Sequence, residues 1–167
     1  LDSVLIAWND YLYTGDVSSL KAHYTDLKAK ALTALAREDG LISVNTGLVT
    51  NDILEDIHYK GKSYDHFKKG LIDNPDWPQA ERDNYDMRPI NTEVNAFHYR
   101  AVVLMARIAE ALNKEDDIRW YRNRAESLKT TIQEKLIDPA TGLMLDGEDS
   151  THSSLHANMT AWPSTSF

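Results

Sequence analysis

The sequence predicts an all-α protein made of antiparallel helical hairpins. Three observations carry that reading. Apolar residues recur at three- and four-residue steps through several long segments. No series of alternating apolar and polar residues of strand length appears. Two of the strongest apolar stripes are joined by only a few polar residues, which forces the helices that carry them to fold back on each other.

Residues 1–14 read as the end of a helix, with Val4, Leu5, Trp8, Tyr11 and Leu12 at helical spacing. The run Thr14-Gly15-Asp16 breaks it, and Asp16 is suited to cap the next helix. From there Leu20, Tyr24, Leu27, Ala31 and Leu35 form one stripe, with a fresh start expected near Thr25. Gly40 suits the left-handed position after a helix. Residues 41–90 form a long connection, with one short helix expected in TNDILEDIHY. Its aromatics, Tyr59, Tyr64, Phe67, Trp77 and Tyr85, argue against disorder.

The clearest helix follows. Asn91 caps it, and Val94, Phe97, Ala101, Leu104, Met105, Ile108 and Leu112 are its expected buried face. After NKED at 113–116, Ile118, Tyr121, Ala125, Leu128, Ile132 and Leu136 make a second stripe. DPATGLMLDGEDS at 138–150 is a turn-rich link with a small β-hairpin expected around Gly142. HSSLHANMTA begins a further helix.

Composition narrows the function. The chain has 167 residues, enough for one domain with a real core. Its net charge of −8 argues against nucleic acid and anionic membrane as main partners, because both need a basic face. No apolar run is long enough to span a bilayer. There is no cysteine, so thiol and disulfide chemistry are excluded. No glycine-rich phosphate loop and no Gly-x-Ser-x-Gly elbow occurs.

Three constellations remain. Asp76-Trp77-Pro78 sets a flat apolar ring beside a carboxylate, the pair that sugars use for C–H stacking and hydroxyl bonding. Packing of the loop onto the body explains the same Trp from spacing alone. Glu81, Asp83, Asp86 and Glu93 gather at the mouth of a helix, where paired carboxylates can serve acid–base chemistry. Helix-dipole complementarity and pairing with Arg82 explain them better, because acids favour helix starts. His152 and His156 stand four apart and are expected to share a face of the last helix. HSSLH lacks the Glu of a zinc peptidase and offers no third ligand, so the expectation is capping or bonding to a loop. The sequence calls for no metal and no cofactor.

Taken together, WNDYLYTGDVSSLKAHY, DGLISVNTGL, DWPQAERDNYD, NTEVNAFHYRAVVLMARIAEAL, YRNRAESLKTTIQEKLIDPATGLMLDG and HSSLHANM resemble family 78 of the glycoside hydrolases, the bacterial α-L-rhamnosidases. They occur in the family's order. The resemblance implies an (α/α)6 toroid, six helical hairpins around a central funnel, of which this chain carries a part of two to three hairpins. It also implies removal of terminal L-rhamnose from glycosides with inversion, by one carboxylic acid and one carboxylate. In that family the Asp-Trp element lines the rhamnose pocket, which assigns Asp76 and Trp77 to substrate binding, with His156 and Asn158 as weaker candidates near the funnel.

Two departures qualify the activity. The family's general acid lies in an RDER…GWTGD-like segment and its general base in a TxWE-like segment. Neither segment occurs in this sequence. The start at Leu1-Asp2, inside an apolar pattern, predicts an internal piece of a longer chain, inactive alone. The family-like domain is expected over residues 1–159, and 160–167 as an atypical tail. One permitted back-translation of that tail, read from its third base, gives an apolar run similar to the family's helix, so a frameshift is expected there. The competing expectation is a non-catalytic interaction domain whose exposed hairpin flanks pair with another copy or another protein. A trehalase-like or glucoamylase-like toroid shares the architecture but fits the loop segments less well.

Overall fold

A computed structural model describes residues 1–43, 50–59, 81 and 83–165. Helix α1 (Asp2–Thr14) ends where the sequence breaks: Gly15 takes φ 69° and its N–H donates to the Tyr11 carbonyl at 2.8 Å. That left-handed position suits glycine because it carries no Cβ to clash. Asp16 then starts α2 (Ser18–Ala22), its carboxylate accepting from the N–H and the hydroxyl of Ser18, each at 2.8 Å. The acceptor sits one residue before the helix boundary, which falls at Val17.

The stripe from Leu20 to Leu35 is buried along its length, but three short pieces carry it rather than one helix. A break at His23 separates α2 from α3 (Tyr24–Lys30), and a 3-10 turn over Thr33–Leu35 completes the run. Leu32 at φ 60° ends the regular helix. Lys30 helps anchor the region, its ammonium donating to the carbonyls of Ile57 and His58 at 2.7 and 3.1 Å. Those carbonyls close α4 (Asn51–Asp56), which Thr50 caps by accepting from the Ile53 N–H.

Helix α5 (Thr92–Ala111) is the centre of the molecule, with 13 of its 20 residues buried. An amphipathic helix buries one stripe; burial on most sides means neighbours on most sides. Those neighbours are α1, α6 (Glu115–Lys135) and α7 (Leu155–Thr165). The α5–α6 turn closes with Asn113 at φ 55°, Asn113 N–H on the Glu110 carbonyl and Lys114 N–H on the Ala109 carbonyl. This double closure reverses the chain and makes the pair antiparallel. All six expected residues of the α6 stripe are buried. On α5, Ala101, Leu104, Met105 and Ile108 are buried as expected, whereas Phe97 is 38% exposed and Leu112 only partly covered. Leu12 on α1 is exposed as well.

Helices α1, α5 and α7 lie side by side and run the same way. Asp146 receives the Thr92 N–H on its carbonyl and the Ser154 N–H on its carboxylate, so α5 and α7 start together. Leu1 packs in a small cluster with Leu35, Ile42 and Val94, which brings the start of α1 to the same end. Buried Asn95 ties that cluster to α5, accepting from the Ile42 N–H and donating to the Ile42 carbonyl. Helices α2 and α3 pack on α1, and α6 packs on α5. The arrangement is two hairpins and the first helix of a third, an arc of an all-α toroid. Among the described residues there is no strand, only isolated bridges such as Ile137 with Met144 around the Gly142 turn. No described helix is long and apolar enough to cross a membrane.

Candidate functional site

The loops at the shared starting end of α1, α5 and α7 hold the concentration of polar chemistry. Asp146 is its hub, in the link between α6 and α7, and its residue is 0% exposed. One carboxylate oxygen accepts the Ser154 N–H at 2.8 Å. The other accepts the Asp86 N–H at 2.8 Å and lies 2.6 Å from Nδ1 of His152. Burial pushes this carboxyl up, but the Asp86 and Ser154 bonds and His152 outweigh it and hold it below its ordinary value. It is therefore ionised at neutral pH.

The segment after Asp76 and Trp77 is fastened to the same hub. Tyr85 is buried, its hydroxyl within 2.9 Å of the Asn91 side chain and 2.7 Å of the Asp146 carbonyl. Asp83 adopts φ 52° and accepts the Leu155 N–H at 2.9 Å, capping α7. Asp86 pairs with Arg88 at 2.7 Å and accepts from the Ser150 hydroxyl at 2.9 Å. Gly147 makes the close approach possible: a Cβ there would stand 2.3 Å from the Ile90 carbonyl oxygen and 2.7 Å from the Arg88 Cβ.

A charged network braces the back of this link. Arg37 binds both oxygens of Glu148, at 2.7 and 3.0 Å, and also Asp39. Lys135, from the end of α6, bridges Asp39 and Glu148 at 2.9 Å each. Burial raises the Asp39 carboxyl, yet Arg37, Lys135 and the Leu41 N–H hold it down at about 2.

The sequence candidates fall into place unevenly. Asp76 and Trp77 lie outside the described residues, as do Tyr64, Phe67 and Arg82. His152 and His156 do not share a helix face: α7 begins at Leu155, so His152 belongs to the preceding link and bonds Asp146. Ser154 caps α7 instead, accepting the Ala157 N–H at 3.1 Å. Asn158 is committed to the backbone, accepting from the Met144 N–H at 2.9 Å and donating to the Ser154 carbonyl at 2.8 Å. His156 sits half-buried in the first turn of α7. The acids of 81–93 disperse: Asp83 caps, Asp86 pairs with Arg88, Glu81 is exposed, and Glu93 is buried in the first turn of α5. Among the described residues no three acids or histidines are placed to hold a metal. Sequence reasoning passed over Asp146; its one signal was the Gly147 beside it.

Comparison with curated proteins gives no match. The family model described as the bacterial alpha-L-rhamnosidase 6 hairpin glycosidase domain matches residues 2–164. Its helical hairpins agree with the arc formed by α1 to α7, and its span takes in the Asp76-Trp77 element, the Asp146 hub and most of the last helix. The chain belongs to the bacterial α-L-rhamnosidase six-hairpin glycosidase family.

Proposed function

We propose that this chain forms a sugar-binding portion of an inverting α-L-rhamnosidase, recognising terminal L-rhamnose on a glycoside. The family match over residues 2–164 is the observation that carries it. Asp76 and Trp77 line the pocket, the ring stacking on sugar C–H groups and the carboxylate accepting hydroxyls. The hub at Asp146 supports this reading, because it fastens the segment that follows Trp77 to the starts of α5 and α7. His156 lies close to that end on α7. Asn158 contributes by holding the 144–154 link, since its amide is spent on Met144 and Ser154.

The 167-residue chain does not hydrolyse rhamnosides efficiently by itself. Its sequence holds neither the RDER…GWTGD-like nor the TxWE-like segment. Without them no group protonates the leaving oxygen and none activates water, each a loss of about 100-fold or more. Incubation with an aryl α-L-rhamnoside tests this: aglycone release at the buffer rate is expected, and turnover near that of a complete enzyme overturns it.

A second reading has its own observation. Ile6, Leu12 and Tyr13 on α1, and Leu155 and Met159 on α7, are exposed apolar side chains at the two flanks of the arc. Pairing of flanks between copies would cover them, as an interaction domain would require. Light scattering separates the readings: a concentration-dependent dimer without rhamnose binding favours self-association.

A further inference from the structure

Asp146 and His152 form a pair that packing alone does not require. The carboxylate is fully buried and already satisfied by two backbone N–H groups, from Asp86 and Ser154. The imidazole joins it at 2.6 Å, while 40% of the His152 side chain remains exposed. An ionised carboxylate can only accept, so Nδ1 of His152 must carry the proton. In that tautomer Nε2 is the ring's one acceptor. That atom has no hydrogen-bond partner among the described residues. His152 is held from behind too, its N–H on the Ser150 hydroxyl at 3.1 Å and its carbonyl receiving the Asp146 N–H at 2.9 Å. A ring with a set tautomer, a set orientation and one open acceptor is what recognition of a hydroxyl donor needs.

The same hub fixes where the acceptor stands. Asp86 and Tyr85, which continue the Asp76-Trp77 segment, bond Asp146 directly. Asp83 of that segment caps α7, the helix that His152 precedes. Tyr85, Asp86 and the imidazole are thus tied to one aspartate, where α5 and α7 start.

We propose that His152, oriented by Asp146, accepts a hydrogen bond at Nε2 from a hydroxyl of the L-rhamnosyl unit and helps set sugar specificity. This rests on the reading of the chain as a rhamnose-binding domain. His152 would touch the sugar; Asp146 would be a positioning residue.

The test is titration of the full chain with L-rhamnose, followed by tryptophan fluorescence and by long-range ¹H–¹⁵N NMR of the imidazoles. Saturable binding is expected, with His152 in the Nδ1–H form and its Nε2 resonance moving as the sugar binds. His152→Ala should weaken binding about 3- to 10-fold, the worth of one hydrogen bond, with helical circular dichroism unchanged. Asp146→Asn should weaken binding by a similar factor and lose the single tautomer; if it fails to fold, the His152→Ala and NMR results still decide. Equal affinity in His152→Ala, or an Nε2 resonance unmoved at saturation, overturns this assignment and leaves the rhamnose-binding reading standing. Absence of any saturable binding by the unaltered chain overturns both.

Discussion

His98 sets an acid limit on the stability of this fold. It sits on α5 with no exposed surface, and its Nδ1 lies 2.9 Å from the Ala31 carbonyl. Burial is the main cause that pushes its imidazole down to about 4; the Ala31 bond and the nearby Arg124 charge matter less. In the unfolded chain the ring titrates at about 6.5. Between those values the unfolded state binds a proton that the folded state refuses. Stability is therefore complete above about pH 6.5 and falls as pH drops towards 4. One proton corresponds to about 1.4 kcal/mol per pH unit, so about 3 kcal/mol is lost across the window. That is a large part of the stability of an ordinary domain. The carboxyls held low here, Asp39, Asp117, Asp146 and Glu148, lose their contribution mainly at lower pH, as pH falls through their depressed values. Urea unfolding at half-unit steps from pH 4.5 to 7.5, on the unaltered chain and on His98→Gln, isolates the effect. The variant should be less stable at pH 7 and should show a shallower slope below pH 6.5. An unchanged slope in His98→Gln would refute the reasoning.

Three further outcomes follow from the site. Gly147→Ala forces a methyl to within 2.3 Å of the Ile90 carbonyl and should cost about 1–3 kcal/mol by overpacking, read as a lower urea midpoint. Arg37→Ala leaves Glu148 with Lys135 alone and Asp39 with Lys135 and the Leu41 N–H; a loss of about 1 kcal/mol is expected, smaller at high salt. Asp146→Asn puts an amide donor against N–H donors and should speed hydrogen exchange at the Asp86 and Ser154 amides, which His152→Ala should leave slow.

Much of the fold was legible because helical periodicity reports burial directly. The stripes of α6 and of Leu20 to Leu35 came through intact, even where the second was cut into α2, α3 and a 3-10 turn. The cut itself was only half visible, since a left-handed Leu32 has no composition signal. Phe97 misled because periodicity marks an apolar stripe without saying which neighbour covers it; in an arc, one side of α5 stays open. The site was harder to read. Asp146 is one aspartate in a turn-rich run, and local sequence does not separate a buried hub from a solvated turn residue. Its partners, Asp86 and Thr92, stand more than 50 residues away. His152 was placed on a helix that starts three residues later, because Ser154 and Asp83 share the capping. The sugar-binding expectation came from motif order, not from spacing.

The central claim is that this chain recognises L-rhamnose through the Asp76-Trp77 wall. Calorimetric titration of the chain and of Trp77→Ala with L-rhamnose tests it most directly. Saturable binding by the unaltered chain, lost in Trp77→Ala while circular dichroism is preserved, is the predicted result. No saturable heat, or equal affinity in Trp77→Ala, would contradict it.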